Sequence, residues 1–200
     1  MIRLYGIHAS RAFRSLWMLE ELGVEYEHIA TNFSGDNQKP DYLAINPNGR
    51  IPALVDGDTV LFESMAINLY LARKYDRGLQ PKSLQDQALA VQWSFWVMTE
   101  IEKPLLTVLR NRRLLPEDQR DAAAADLAEQ ELARPLAVLD GAMADRQHLV
   151  GESFSVADLN VASVLAWAPP SGVRFDPHPN VERWLKECLS RPATKKAQGR

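Results

Sequence analysis

The chain has 200 residues, 46% of them hydrophobic and 24% charged, with a formal charge of −3. These values fit a soluble globular protein of one or two domains and give no broad basic surface for nucleic acid. No apolar run approaches ~20 residues, so no membrane span is expected.

A single cysteine, Cys188, rules out an intrachain disulfide and reads as a small buried hydrophobe. The opening "MIRLYGIHAS" lacks the apolar region of a signal peptide, so a cytoplasmic location is expected.

The first third mixes strand and helix signals. Ile2 to Tyr5 alternates apolar and polar residues and predicts a short strand. A helix follows from about Arg11 to Leu22, with Leu16, Leu19 and Leu22 on its apolar face and Gly23 as a natural stop. Tyr26 to Ala30 predicts a second strand, Asn32 to Gln38 a loop, and Asp41 to Ile45 one helical turn. Two short apolar runs, Ala53 to Val55 and Val60 to Phe62, flank "DGD" and predict a hairpin. Ser64 to Tyr75 returns to helical spacing through Ile67, Leu71 and Tyr75. The order predicts a small mixed sheet, first pair parallel and last pair antiparallel, with helices on both faces.

Beyond a polar linker at residues 77–84 everything reads as helical. Leu84 to Arg113 is one long pattern, and Pro116 to Arg146 is a second that Pro135 should kink or break. Ser155 to Trp167 and Asn180 to Leu189 complete the set. Ser155 and Asp158 have the spacing of a helix-entry box, with Phe154 and Leu159 as its hydrophobic staple.

Three stretches carry chemistry. In "NPNGRIPALVDGDTVLFES" a cis Ile51–Pro52 bond would turn the Ile51 backbone outward to pair with an extended peptide; a plain trans proline at a strand start is the alternative. Ser64 stands where strand meets helix. Its hydroxyl and the first helical N–H groups suit a carboxylate, Glu63 beside it suits an ammonium, and a simple N-cap is the alternative. Ser10, in "GIHASRAFRS", sits at a helix entrance that favours an anion. It is a poor nucleophile without a base but a reasonable hydrogen-bond donor to a thiolate; here too an N-cap is the alternative. His8 raises a Ser-His hydrolase reading, which fails because no G-x-S-x-G elbow or third group accompanies it.

Together these stretches resemble a cytosolic glutathione S-transferase with a bacterial-type, Ser- or Cys-type loop. "INPNGRIPAL", "LFESMAINLYLARKY" and "GESFSVADLNVASVL" carry the resemblance, which spans essentially the whole chain. It implies a thioredoxin-like domain over residues 1–76 that binds glutathione, and an all-helical domain over residues 85–200 that contributes the electrophile site. It implies that Ile51 offers its backbone to the cysteinyl part of glutathione beside a cis Pro52. Glu63 and Ser64 would hold the γ-glutamyl end and Lys39 the glycine carboxylate.

Ser10 falls at the activating position, with Tyr5 the position used by Tyr-type members. The implied activity is transfer of glutathione, as thiolate, to a small electrophile by a homodimer that needs no metal. A glutathione-dependent isomerase or peroxidase stays open, as does a partner-binding member without catalysis. Trp93, Phe95, Trp96 and Met98 are divided between core and electrophile site, and Arg110, Arg112 and Arg113 read as a solvated helix end or an acidic-substrate patch.

Overall fold

A computed structural model describes residues 1–199. It divides into two compact units, residues 1–80 with the C-terminal segment from Arg191, and residues 81–190.

The first unit is thioredoxin-like. Strands β1 (Ile2–Tyr5), β2 (Tyr26–Ile29), β3 (Ala53–Asp56) and β4 (Thr59–Phe62) form one sheet in the order β2-β1-β3-β4. β1 pairs in parallel with β2, and β1–β3 and β3–β4 are antiparallel, as the sequence order requires. The central strand β3 is buried along its whole length, whereas the edge strand β4 alternates. Helices α1 (Ala12–Leu22) and α3 (Ser64–Tyr75) pack together. Between β2 and β3 lie a 3-10 turn, Asp36–Gln38, and the single turn α2 (Pro40–Leu43).

Helix α1 ends on Gly23 at φ 59°, a left-handed stop whose N–H returns to the Leu19 carbonyl. Asp56 ties the hairpin to α3, accepting from the Tyr70 hydroxyl (3.1 Å), Lys74 Nζ (2.7 Å) and the Tyr75 hydroxyl (3.0 Å). Burial pushes the Asp56 carboxyl upward, but the bonds from Lys74, Tyr75 and Tyr70 together hold it below the usual carboxylate range.

The second unit is helical. α4 (Leu84–Trp96) starts on Ser83, whose side chain accepts from the Asp86 N–H at 3.0 Å. It runs through a π-helical turn, Val97–Ile101, into α5 (Glu102–Leu109). Pro104 gives a physical reason for the wide turn: it has no N–H for the carbonyl of residue 100, and its ring crowds that carbonyl.

A second π turn, Arg110–Leu114, and a 3-10 turn, Glu117–Gln119, lead to α6 (Ala122–Ala142). Of the kink or break expected at Pro135, the break does not occur: the helix runs through it. Its ring sits on the buried side, where it contributes apolar packing.

α7 (Val156–Leu165) is buried on every side, the pattern of a central core helix. The entry box forms as expected, with Ser155 capping and Asp158 accepting from the Ser155 N–H at 3.0 Å. Asp158 also accepts from the Leu149 N–H (2.8 Å) and from Trp184 Nε1 (2.9 Å). Burial pushes its carboxyl pKa up.

α8 (Ala168–Ser171) and α9 (Pro179–Ser190) follow. Asp140 of α6 caps α9 by accepting from the Asn180 and Val181 N–H groups at 2.8 and 3.1 Å.

The last helix, α10 (Pro192–Ala197), packs on α1 and so belongs with the first unit. The sequence expectation had run the helical domain to residue 200. Arg191 explains the difference: it grips Glu21 of α1 through two bonds of 2.6 and 2.7 Å.

Candidate functional site

The connection from β1 to α1 begins at Gly6. Its φ of 143° is open to glycine, and a Cβ there would lie 2.4 Å from the Ala12 Cβ and 3.5 Å from the Ile51 Cβ. The lack of a side chain therefore lets the Ser10 loop come up against both α1 and Ile51. The loop is pinned at its start by the Gly6 N–H to the Ile29 carbonyl (3.0 Å) and by His28 Nε2 to the Gly6 carbonyl (2.8 Å).

Ser10 is half-buried at the far end of this loop. Its hydroxyl donates to the Ile7 carbonyl at 2.7 Å and accepts from the Ala12 N–H at 3.0 Å. A serine hydroxyl has one proton, so it is already committed within the loop. To donate to a thiolate it must release Ile7. The helix-cap position itself is Arg11, which makes no side-chain cap bond. Tyr5 is buried beneath the sheet, where its ring meets Tyr42 edge-on at 5.9 Å within a cluster with Ala53 and Val55.

The segment from Asn46 to Ile51 is held from several sides. The Gly49 carbonyl accepts from Asn37 Nδ2 (2.6 Å) and Gln38 Nε2 (3.1 Å). The Arg50 carbonyl accepts from the Tyr42 hydroxyl and Asn46 Nδ2, both at 2.6 Å. Burial pushes the Tyr42 phenol up to about 12, so it stays a donor at neutral pH. These four side chains occupy two successive carbonyls just before Ile51, and the Ile51–Pro52 peptide is cis.

Glu63 follows β4 at φ 70° and ψ 111°, a positive φ that costs a residue with a Cβ roughly 1–3 kcal/mol. It occupies the cap position of α3 but makes no side-chain cap bond, which leaves the first N–H groups of that helix without a side-chain cap. Ser64 is therefore the first helical residue rather than the N-cap. It is buried, and its hydroxyl accepts from Arg14 Nη1 at 3.4 Å.

Arg14 itself is only 1% exposed, and its carbonyl accepts from Asn68 Nδ2 at 3.3 Å. A buried guanidinium thus backs the helix entrance, adding positive charge where the helix dipole is already positive.

Lys39 follows Gln38 and is exposed. Its ammonium pairs with Asp36 at 2.7 Å in an exposed contact, and that hydrogen bond raises the Lys39 pKa and lowers that of Asp36. The lysine must leave Asp36 to meet a ligand carboxylate.

In the second unit Trp93 is buried while Phe95 is 69% exposed. Trp96 is half-buried, edge-on to Trp93 at 4.9 Å. Arg112 binds Asp126 (3.0 Å) and Glu129, and Arg113 donates to the Pro170 carbonyl (2.9 Å). Both act as clamps of the helical unit rather than as an acidic-substrate patch. Cys188 is buried.

The structure thus sets Gly6, at the start of the loop that carries Ser10, against Ile51, and ties Ser64 to α1 through Arg14. Sequence reasoning missed Arg14, His28, Asn37, Gln38, Tyr42 and Asn46. All act through hydrogen bonds, four of them between residues eleven or more apart in sequence, which periodicity cannot report. The crowding of Asn, Gly and Pro over residues 46–52 was the one available signal that this loop needs external donors.

Comparison with known proteins bears on the family and the fold. The profile of the glutathione S-transferase N-terminal domain matches residues 1–73, and that of the C-terminal domain matches residues 84–192. Glutathione S-transferase 3 of Zea mays is 36% identical, over 98% of this chain and 92% of its own. Glutathione S-transferase GstB of Escherichia coli K12 is 34% identical, over 98% and 97%. The theta class glutathione S-transferase of Xanthomonas axonopodis pv. citri, solved with glutathione bound, superposes with a TM-score of 0.92 at 31% identity, covering 98% of this chain and 96% of that one. Two domain profiles in the family's order and relatives matched along nearly their full length place this chain in the glutathione S-transferase family.

Proposed function

We propose that the first unit holds glutathione along the Ile51 backbone and at the entrance of α3, and ionises its thiol beside Ser10. The chain is a glutathione transferase, with glutathione as co-substrate. The observation that carries the site assignment is the junction at Glu63 and Ser64. It combines an exposed carboxylate, a helix entrance without a side-chain cap and a buried guanidinium at 3.4 Å from the Ser64 hydroxyl. A carboxylate beside an amine, as in the γ-glutamyl group, answers both charges. The cysteinyl portion then lies in the extended form that pairs with the Ile51 backbone. Lys39 meets the glycine carboxylate after exchanging Asp36 for it.

The chemistry is a matter of acidity. A thiol of pKa about 8.5 is mostly neutral at pH 7, and lowering it by ~2 units takes about 2.7 kcal/mol of selective thiolate stabilisation. The positive end of α1 and a hydrogen bond from Ser10 supply it. The thiolate attacks an electrophilic carbon; a C–S bond forms as the leaving group departs with its electron pair, or as the electrophile's π bond takes up the electrons. Holding both reactants in place contributes the remaining acceleration.

The helical unit contributes the electrophile contacts, with the half-buried Trp96 as its aromatic residue there. The role is detoxification, in the cytoplasm where reduced glutathione is abundant. The working form is a homodimer; Val60 and Phe62 on the β4 edge and Leu84, Val91 and Phe95 along α4 leave apolar surface for it to cover. Light scattering that returns a monomer mass at every concentration overturns that part.

The test of the site is calorimetric titration of glutathione into the wild type and Ser64→Ala. Loss of a hydrogen bond to a charged carboxylate weakens binding by roughly 1.5–3 kcal/mol. Unchanged affinity in a folded variant removes Ser64 from the site.

A further inference from the structure

The loop that carries Ser10 is tied to the far end of the chain. His8 Nδ1 lies 2.7 Å from the Ala197 carbonyl. Because a carbonyl only accepts, His8 carries its proton on Nδ1. Ala197 is the last residue of α10, so this carbonyl is one that the helix cannot satisfy internally. The His8 ring also stands edge-on to His28 at 4.8 Å, and His28 in turn donates to the Gly6 carbonyl at 2.8 Å. Gly199 faces the same ring: a Cβ there would sit 3.6 Å from it.

α10 has its own anchors on α1. Arg191 binds both oxygens of Glu21, and Trp17 Nε1 holds the same carboxylate at 2.9 Å. Ala193, Thr194 and Ala197 are buried. The helix is therefore a fixed post, and His8 fastens the loop's exposed apex to it.

We propose that His8 is a positioning residue for thiol activation: by bonding Ala197 it holds the 6–11 loop so that the Ser10 hydroxyl and the start of α1 stay aimed at the thiol. The inference rests on the reading of Ser10 as the thiolate's donor. His8 touches no reacting atom in it. The C-terminal segment then acts on the rate through the loop, and the glutathione contacts at Ile51, Glu63 and Ser64 are left in place.

The experiment compares the full-length wild type with His8→Ala, His8→Asn and Ser10→Ala. Hydrogen exchange at the Ala12 amide, which the Ser10 Oγ holds at 3.0 Å, reports the order of the loop without any catalysis. The midpoint of the pH–kcat profile, with a fixed activated aryl halide, reports thiol ionisation in the bound complex.

In His8→Ala the Ala12 amide should exchange roughly fivefold faster, the factor for one lost neutral hydrogen bond. The pH midpoint should rise and kcat at neutral pH fall, while KM for glutathione changes less than about twofold, as expected when uniform binding is untouched. His8→Asn, whose side-chain N–H reaches the same carbonyl but does not titrate, should restore both readouts.

Unchanged Ala12 exchange in a folded His8→Ala overturns the strap, whatever the kinetics do. Failure of His8→Asn to rescue overturns it too, because the ring, rather than the bond, then matters. A Ser10→Ala midpoint equal to wild type, alongside faster Ala12 exchange in His8→Ala, instead removes Ser10 as donor while supporting the tie to α10.

Discussion

Replacing Ser10 with alanine tests how much of the thiol's acidity comes from one hydroxyl, and the structure sets the size of the effect. In the free protein that hydroxyl donates to the Ile7 carbonyl at 2.7 Å. Turning it to a thiolate exchanges a neutral hydrogen bond, worth roughly 0.5–1.5 kcal/mol, for one to a charged group, worth roughly 1.5–3. The net gain is therefore about 1–1.5 kcal/mol, or about one pKa unit at 1.36 kcal/mol per unit. A hydroxyl free of other partners would give up to about two units by the same arithmetic.

Ser10→Ala should accordingly raise the midpoint of the pH–kcat profile by about one unit and leave glutathione affinity nearly unchanged. Losing the bond to the Ala12 N–H should also cost about 1 kcal/mol of folding stability, measurable by urea unfolding. Tyr5→Phe serves as the control. Tyr5 packs against Tyr42 beneath the sheet, so its loss should leave the midpoint in place. A Ser10→Ala midpoint equal to wild type, with the stability loss present, would refute the donor role and leave Ser10 as a loop brace.

Other consequences follow from the scaffold. Asp56 is held below the usual carboxylate range in the fold, so its stabilisation is complete above the unfolded value of about 3.9 and is lost as pH falls through the folded one. Urea midpoints taken at neutral pH and near pH 3 should therefore differ less in Asp56→Asn than in wild type; an identical acid dependence contradicts the ion-pair account. Asp158→Ala strips acceptors from the Leu149 and Ser155 N–H groups and Trp184 Nε1, and at roughly 1–3 kcal/mol for each buried orphan it should cost more than about 3 kcal/mol. A thermal midpoint within a degree or two of wild type is incompatible with that role. Gly6→Ala would place a Cβ 2.4 Å from the Ala12 Cβ at a φ of 143°, so it should lose both stability and activity; retention of both means the loop relaxes freely.

Much of this architecture was legible because it depends on local pattern. Alternation in "IRLY", the "DGD" hairpin and the leucine spacing of α1 specify the sheet and its first helix. The box at Ser155 and Asp158 forms where its spacing places it. What sequence could not give is the partner of each polar group.

Ser10 looked free to donate, but its proton goes to Ile7, only three residues earlier. Ser64 looked like a cap, yet Glu63 takes that position and Ser64 turns to Arg14, fifty residues away in sequence. Lys39 looked available and is paired with Asp36. Arg14 was hidden because α1 is buried almost all round, so no polar face marked it. Pro135 does not end its helix, because its local penalty is outweighed by packing in a 21-residue helix.

Ultraviolet difference titration of glutathione bound to the wild-type protein tests the central claim most directly. The thiolate absorbs where the thiol does not, so the band measures ionisation at the site itself. The account predicts a saturable thiolate band whose midpoint lies about two units below the free thiol value of about 8.5. Glutathione that binds but ionises only with the free-thiol midpoint would contradict it.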